Sequence, residues 1–194
     1  ATNIASLTIY QWWTHTWGTW NPGEATEVAI DAAGDVYVTG NTAVGGAREI
    51  PLLKYEPGAN LVFSYMTAVD ADQLASDLAV DANGDIYVAG EVLIYTGGHW
   101  DALLLKYDSE GNLIFVRTWG GSSTDEARGI ALDNSANVYV GGSTSSFGGG
   151  DAFLLKYDSS GNLLWQKTWG GQVNEEAYAV AVDGNGGIYV AGVT

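Results

Sequence analysis

The chain has 194 residues, 46% apolar, 12% aromatic and 15% charged, with no cysteine. This is too aromatic for disorder and too poor in charge for a coiled coil, and the missing cysteine removes disulfide scaffolds, thiolate catalysis and cysteine-ligated metals. Seven Lys+Arg stand against 23 Asp+Glu, a formal charge of −16, which repels nucleic acid and anionic membrane surfaces where no basic patch intervenes. No apolar run approaches the roughly 20 residues of a membrane helix. The start Ala1-Thr2-Asn3 has neither the basic nor the apolar region of a leader, so a soluble, mature chain without membrane insertion is expected, and Ala1 without an initiator Met is what cleavage of a secretory leader would leave.

In chain order, the first β-prone run is QWWTHTWG at 11–18. VAIDAAGDVYVTG (28–40) follows, then PLLKYEPGANLVF (51–63), each a pair of short runs about a Gly-containing turn. The pair of phrases returns as LAVDANGDIYVAG (78–90) with LLLKYDSEGNLIF (103–115), and as IALDNSANVYVGG (130–142) with FLLKYDSSGNLLW (153–165). VAVDGNGGIYVAG (180–192) ends the series, and TWGG stands at 118–121 and 168–171, with TWGT at 16–19. Asp31, Asp81, Asp133 and Asp183 mark a period of about fifty residues, which Tyr37, Tyr87, Tyr139 and Tyr189 keep.

Each unit predicts four short strands and no helix, since glycine recurs too often for a helical period. Four-stranded units at this period predict an all-β fold, a small β-propeller of about four blades of four antiparallel strands, as a single domain over 1–194. The units run over about 17–67, 68–118, 119–168 and 169–194, the last holding only two strands. QWWTHTWG aligns with LWQKTWGG (164–171) and puts Trp13 in the column of Phe63, Phe115 and Trp165. The N-terminal strand, within 1–16, is therefore expected to complete the last blade and remove its open edge.

The set W-G-G-x-x-x-E-A, A-V-D-x-x-G-N/D-x-Y-V-x-G and D-A-x-L-x-K-Y-D-x-x-G-N-L-x-W resembles the SBBP β-propeller repeat of bacteria and archaea, over about Thr16 to Thr194. The resemblance implies a propeller scaffold in a secreted or cell-surface protein, with no shared catalytic residues. The second unit departs from it, with TAVD (67–70) in place of TWGG, and the chain has fewer repeats than members commonly carry. KYDSSGNLLW (156–165) is also similar to the tryptophan-docking segment of quinone-dependent dehydrogenase propellers. Those keep a vicinal cysteine pair that this chain lacks, so the likeness reads as shared packing of blades.

The turn oxygens of Asp81, Asn83 and Asp85, like Asp31 and Asp35, begin as a calcium loop does but have no distal bidentate Glu, and they read as hairpin turns. Lys54, Lys106 and Lys156, with Asp101 and Asp151, recur in successive units; an enzyme builds one constellation in one place, so these read as inter-strand or inter-blade pairs. The columns Trp17, Trp119, Trp169 and Trp13, Phe63, Phe115, Trp165 read as packing between blades. Trp20, Arg48, Tyr95, His99 and Trp100 break the repeat on loops that a propeller gathers at one rim, and form the candidate ligand-binding set for a glycan or protein. His15 and His99 stand in unrelated contexts, and neither a nucleophile elbow nor a P-loop occurs, so no catalytic residue, metal or cofactor is assigned. The expected protein is a non-catalytic, extracellular or cell-surface structural or adhesive module, self-associating by strand donation or binding surface proteins and glycans. The rival expectation is a lectin-like propeller that uses its loop-rich face.

Overall fold

The computed structural model describes residues 23–67 and 71–194. The first sheet holds β1 (Gly23–Ile30), β2 (Val36–Val44), a short β3 (Ala47–Glu49), β4 (Pro51–Tyr55) and β5 (Leu61–Met66). The second holds β6 (Gln73–Val80), β7 (Ile86–Ile94), β8 (His99–Tyr107) and β9 (Leu113–Trp119), and the third β10 (Asp125–Leu132), β11 (Val138–Thr144), β12 (Asp151–Tyr157) and β13 (Leu163–Trp169). β14 (Glu176–Val182) and β15 (Ile188–Val193) form a two-stranded sheet. All pairs are antiparallel and follow chain order, with β3 pairing off the end of β2. Among the described residues there is no helix.

The turn phrases explain the hairpins. Asp81 Oδ1 accepts the N–H groups of Asn83 (2.8 Å) and Asp85 (3.1 Å), and its Oδ2 accepts the Tyr87 hydroxyl at 3.4 Å. Asp31, Asp133 and Asp183 repeat this with Tyr37, Tyr139 and Tyr189. Gly34, Gly84 and Gly186 supply the positive φ that the turn needs; in the third unit Ala136 adopts it at 57°. The oxygens that look like the start of a calcium loop are therefore occupied by their own turn.

The first strand of every sheet carries a bulge, between Ala25 and Glu27, Ala75 and Asp77, Ala127 and Gly129, and Ala177 and Ala179. The bulge swings a carbonyl over the neighbouring strand, so a methyl group at Gly40, Gly90, Gly142 or Gly192 would collide with the oxygen of Glu24, Leu74, Glu126 or Glu176. This is the physical content of the glycine that ends each Y-V-x-G phrase.

The sheets stack face to face in a propeller-like fan, with β1, β6, β10 and β14 leading each one and packing on the sheet before or after. One core fills the junction of the first two sheets, with Tyr37, Leu52, Leu78, Val88 and Leu105; the other fills the next, with Ala89, Leu104, Trp119, Ile130 and Phe153. The fan is open. Val28 and Ile30 of β1 are exposed at one end, and Tyr178, Tyr189 and Val190 at the other. The expected closing strand, with Trp13 and Trp17, lies outside the described residues.

Candidate functional site

Along one rim the hairpin from second to third strand meets the connection into its own sheet and, at the last junction, the connection into the next sheet. The Ser145 amide donates to the Thr124 carbonyl (2.9 Å), the Glu175 amide to Gly150 (2.7 Å) and the Leu93 amide to Asp72 (2.8 Å). The described loops that depart from the repeat, those of Arg48, Tyr95 and Trp100, lie on this rim.

The structure gathers Arg48, Tyr95 and Trp100 there and adds Asp72, which sequence reasoning passed over. The Arg48 amide donates to Asp72 Oδ1 at 2.9 Å, and the Asp72 amide donates to the Tyr95 hydroxyl at 3.2 Å. The Arg48 guanidinium lies 6.0 Å from the centre of the Trp100 ring, a cation–π distance. Gly45 and Gly46, both at positive φ, turn the chain so that Arg48 projects from β3. Beside them a cleft of about 490 Å³ between the first two sheets is lined by Glu24, Asn41, Thr42, Arg48 and Leu74. An aromatic ring, a cation and a carboxylate around an open cleft suit a ligand with both polar groups and an apolar face. His99 turns to Asp101 instead, with Nε2 3.5 Å from Oδ1, and Trp20 lies outside the described residues.

Deeper on the same rim sits a charged group that the sequence did not single out. Burial first, and then the neighbouring Glu126, push the Glu91 carboxyl from 4.5 up to about 7, against the pull of Arg128 and Arg48. Arg128 pairs with Glu126, while Glu91 Oε2 and Arg128 Nε are buried with no hydrogen-bond partner. Glu91 follows Y-V-A-G in the sequence, where nothing marks its burial.

The repeated lysines have a structural place, but with other partners than Asp101 and Asp151. Strand register sets Lys54 opposite Tyr37, Lys106 opposite Tyr87 and Lys156 opposite Tyr139. Each ammonium therefore reaches an aspartate of the adjoining turn region: Lys54 to Asp35 and Lys106 to Asp85 at 2.9 Å, Lys156 to Asp133 at 3.8 Å. Lys106 also donates to the Ser159 carbonyl of the next sheet at 3.1 Å. Asp101 lies at the other rim and approaches Asp125, whose two oxygens accept from Thr144, Ser146 and the Gly121 amide.

The aromatic columns lie between and within sheets. Trp119 is buried against Phe153 (4.6 Å between centroids) and Phe147 (5.0 Å) and donates its indole N–H to Gln166 of the third sheet at 2.9 Å. Phe63 stacks on Tyr65, Phe115 lies under Arg117, and Trp165 meets Tyr139 edge-on. Trp169, in the Trp119 column, is exposed beside the two-stranded sheet.

Residues 118–148 match the family model of the SBBP beta-propeller repeat. That stretch carries the similarity to the SBBP repeat. It covers β10 and β11 with the TWGG connection before them, and phrases within it recur along the chain. No curated protein matches the chain. Among solved structures, the fold is similar to the hydrazine synthase of Kuenenia stuttgartiensis (TM-score 0.59, 10% identity, 86% of this chain on 58% of that one). It is also similar to a eukaryotic initiation factor (TM-score 0.52, 10% identity, 81% of this chain on 35% of that one). The chain thus spans about a third of one of these proteins and somewhat over half of the other. At this identity the likeness is one of fold.

Proposed function

We propose that this SBBP-repeat chain is a non-catalytic, extracellular module of structural and adhesive kind, a ring of four-stranded sheets in which a chain-start strand completes the sheet of β14 and β15. One observation carries the reading: the recurring polar side chains are engaged in holding turns and sheets together, whereas Val28 of the first sheet and Tyr189 and Val190 of the last are exposed where their counterparts in the middle sheets are buried. A fold so built supports a reading in which faces and edges are the working parts. Hydrogen exchange tests it. In the full chain the amides of β14 and β15 are expected to be protected, and removal of residues 1–16 should release them while β6 to β12 stay protected. Equal exchange in the two forms would overturn the proposal.

A second reading rests on the Arg48–Trp100 pair beside the cleft: a lectin-like rim. A saccharide that quenches tryptophan fluorescence in the full chain but not in Trp100→Ala would favour it; no response at millimolar concentration would remove it.

A further inference from the structure

The two ends of the fan are each other's missing neighbour, and we propose that a second copy of this chain fills both: the β1–β2 face of one copy seats on the β14–β15 face of the next, head to tail. The inference rests on the reading above, that a chain-start strand completes the last sheet, and says whose strand it is.

At each internal junction a branched apolar residue on the leading strand of one sheet meets a small residue on the second strand of the sheet before. Val180 Cγ2 lies 2.6 Å from where Gly141 would carry a Cβ, so glycine there opens the seat. Ile130 and Ala89 share one buried cluster at the junction before it. Leu78 and Thr39 hold the same columns at the first junction and are 6% and 0% exposed. At the free ends those columns are Val28, 54% exposed, and Ala191, also exposed. The neighbouring columns agree: Ile30 is 67% exposed at one end, and Tyr189 is 61% exposed at the other where Tyr87 is 0%. Knob and seat are both present in one chain, and within one chain they stand apart.

The chain start fits the same arrangement. Asp125 comes six residues after Trp119, Glu175 six after Trp169, and Gly23 six after Trp17, so the residues before β1 keep the spacing of a connection that leaves the outermost strand of the preceding sheet. The sheet that precedes β1 is the one on which its face packs. When β1 docks on a neighbour's β14–β15, the residues that precede it are carried toward the edge of β15, which has no further partner strand among the described residues. In the third sheet the outermost strand spans Leu163–Trp169, a length that the aligned residues 11–17 match. One contact thus supplies face and edge together. Such a contact is heterologous and propagates into rings or filaments.

Because the chain has no cysteine, a disulfide reports only the pair introduced. Val28→Cys and Ala191→Cys alter exposed positions, and Ala89→Cys with Ile130→Cys serves as the internal control that closes within one chain. Mixed, differently tagged Val28→Cys and Ala191→Cys chains are expected to form a linked heterodimer whose yield rises with concentration and with salt, which screens the −16 charge of each copy. The double variant should give a ladder of multimers. If it instead closes within one chain at every concentration, the inference is overturned while completion of the last sheet by its own start strand stands. If neither format links while the control does, the end faces are not partners.

Discussion

Glu91 shows how one side chain sets a pH response. Its carboxyl titrates at about 7 in the folded chain and near the ordinary glutamate value of 4.5 once unfolded. Below 4.5 both states hold the proton and Glu91 adds no pH dependence. Between 4.5 and about 7 the unfolded state releases its proton first, so Glu91 destabilises the fold progressively as pH rises, and the loss levels off above 7. Glu91→Gln is expected to raise Tm at pH 8 and to leave it unchanged at pH 4, read by thermal melts; an equal shift at both would contradict the assignment. The turn aspartates act in the opposite direction. Hydrogen bonds, first from the Gly187 amide, hold Asp183 below the usual carboxylate range. Its contribution is present above the unfolded value of about 3.9 and fades as pH falls through the lower folded one.

Strands and turns were legible because their residues repeat. The D-x-x-G turns, the alternating phrases and the four-strand unit all carry local signals, and the sheets follow them in order. What was not legible depends on register. Lys106 pairs with Asp85 because β7 and β8 set it opposite Tyr87, and nothing in LLLKY alone specifies that partner over Asp101. The bulge is hidden likewise: the glycine closing Y-V-x-G reads as a strand end until the Leu74 carbonyl is seen over Gly90. Gly90→Ala is accordingly expected to cost about 3 kcal/mol by urea denaturation, the upper range for forcing a methyl into a packed site. A substitution there that costs nothing would mean that the bulge relaxes freely. The rim was legible in part. Arg48, Tyr95 and Trp100 stand out by breaking the repeat, while Asp72, which ties them, is an ordinary loop aspartate in the sequence.

At the scale of the molecule, the described sheets leave open two faces whose counterparts at the internal junctions are covered. The middle sheets bury on both sides what the end sheets show to solvent, and the residues that would seat the missing neighbour are those already used at three junctions. Acidity opposes association, and the apolar end faces drive it. Molecular mass by light scattering over a concentration series, at low and at high salt, tests this most directly. The account predicts masses that climb in whole multiples of one chain as concentration and salt increase; the mass of one chain throughout would contradict it.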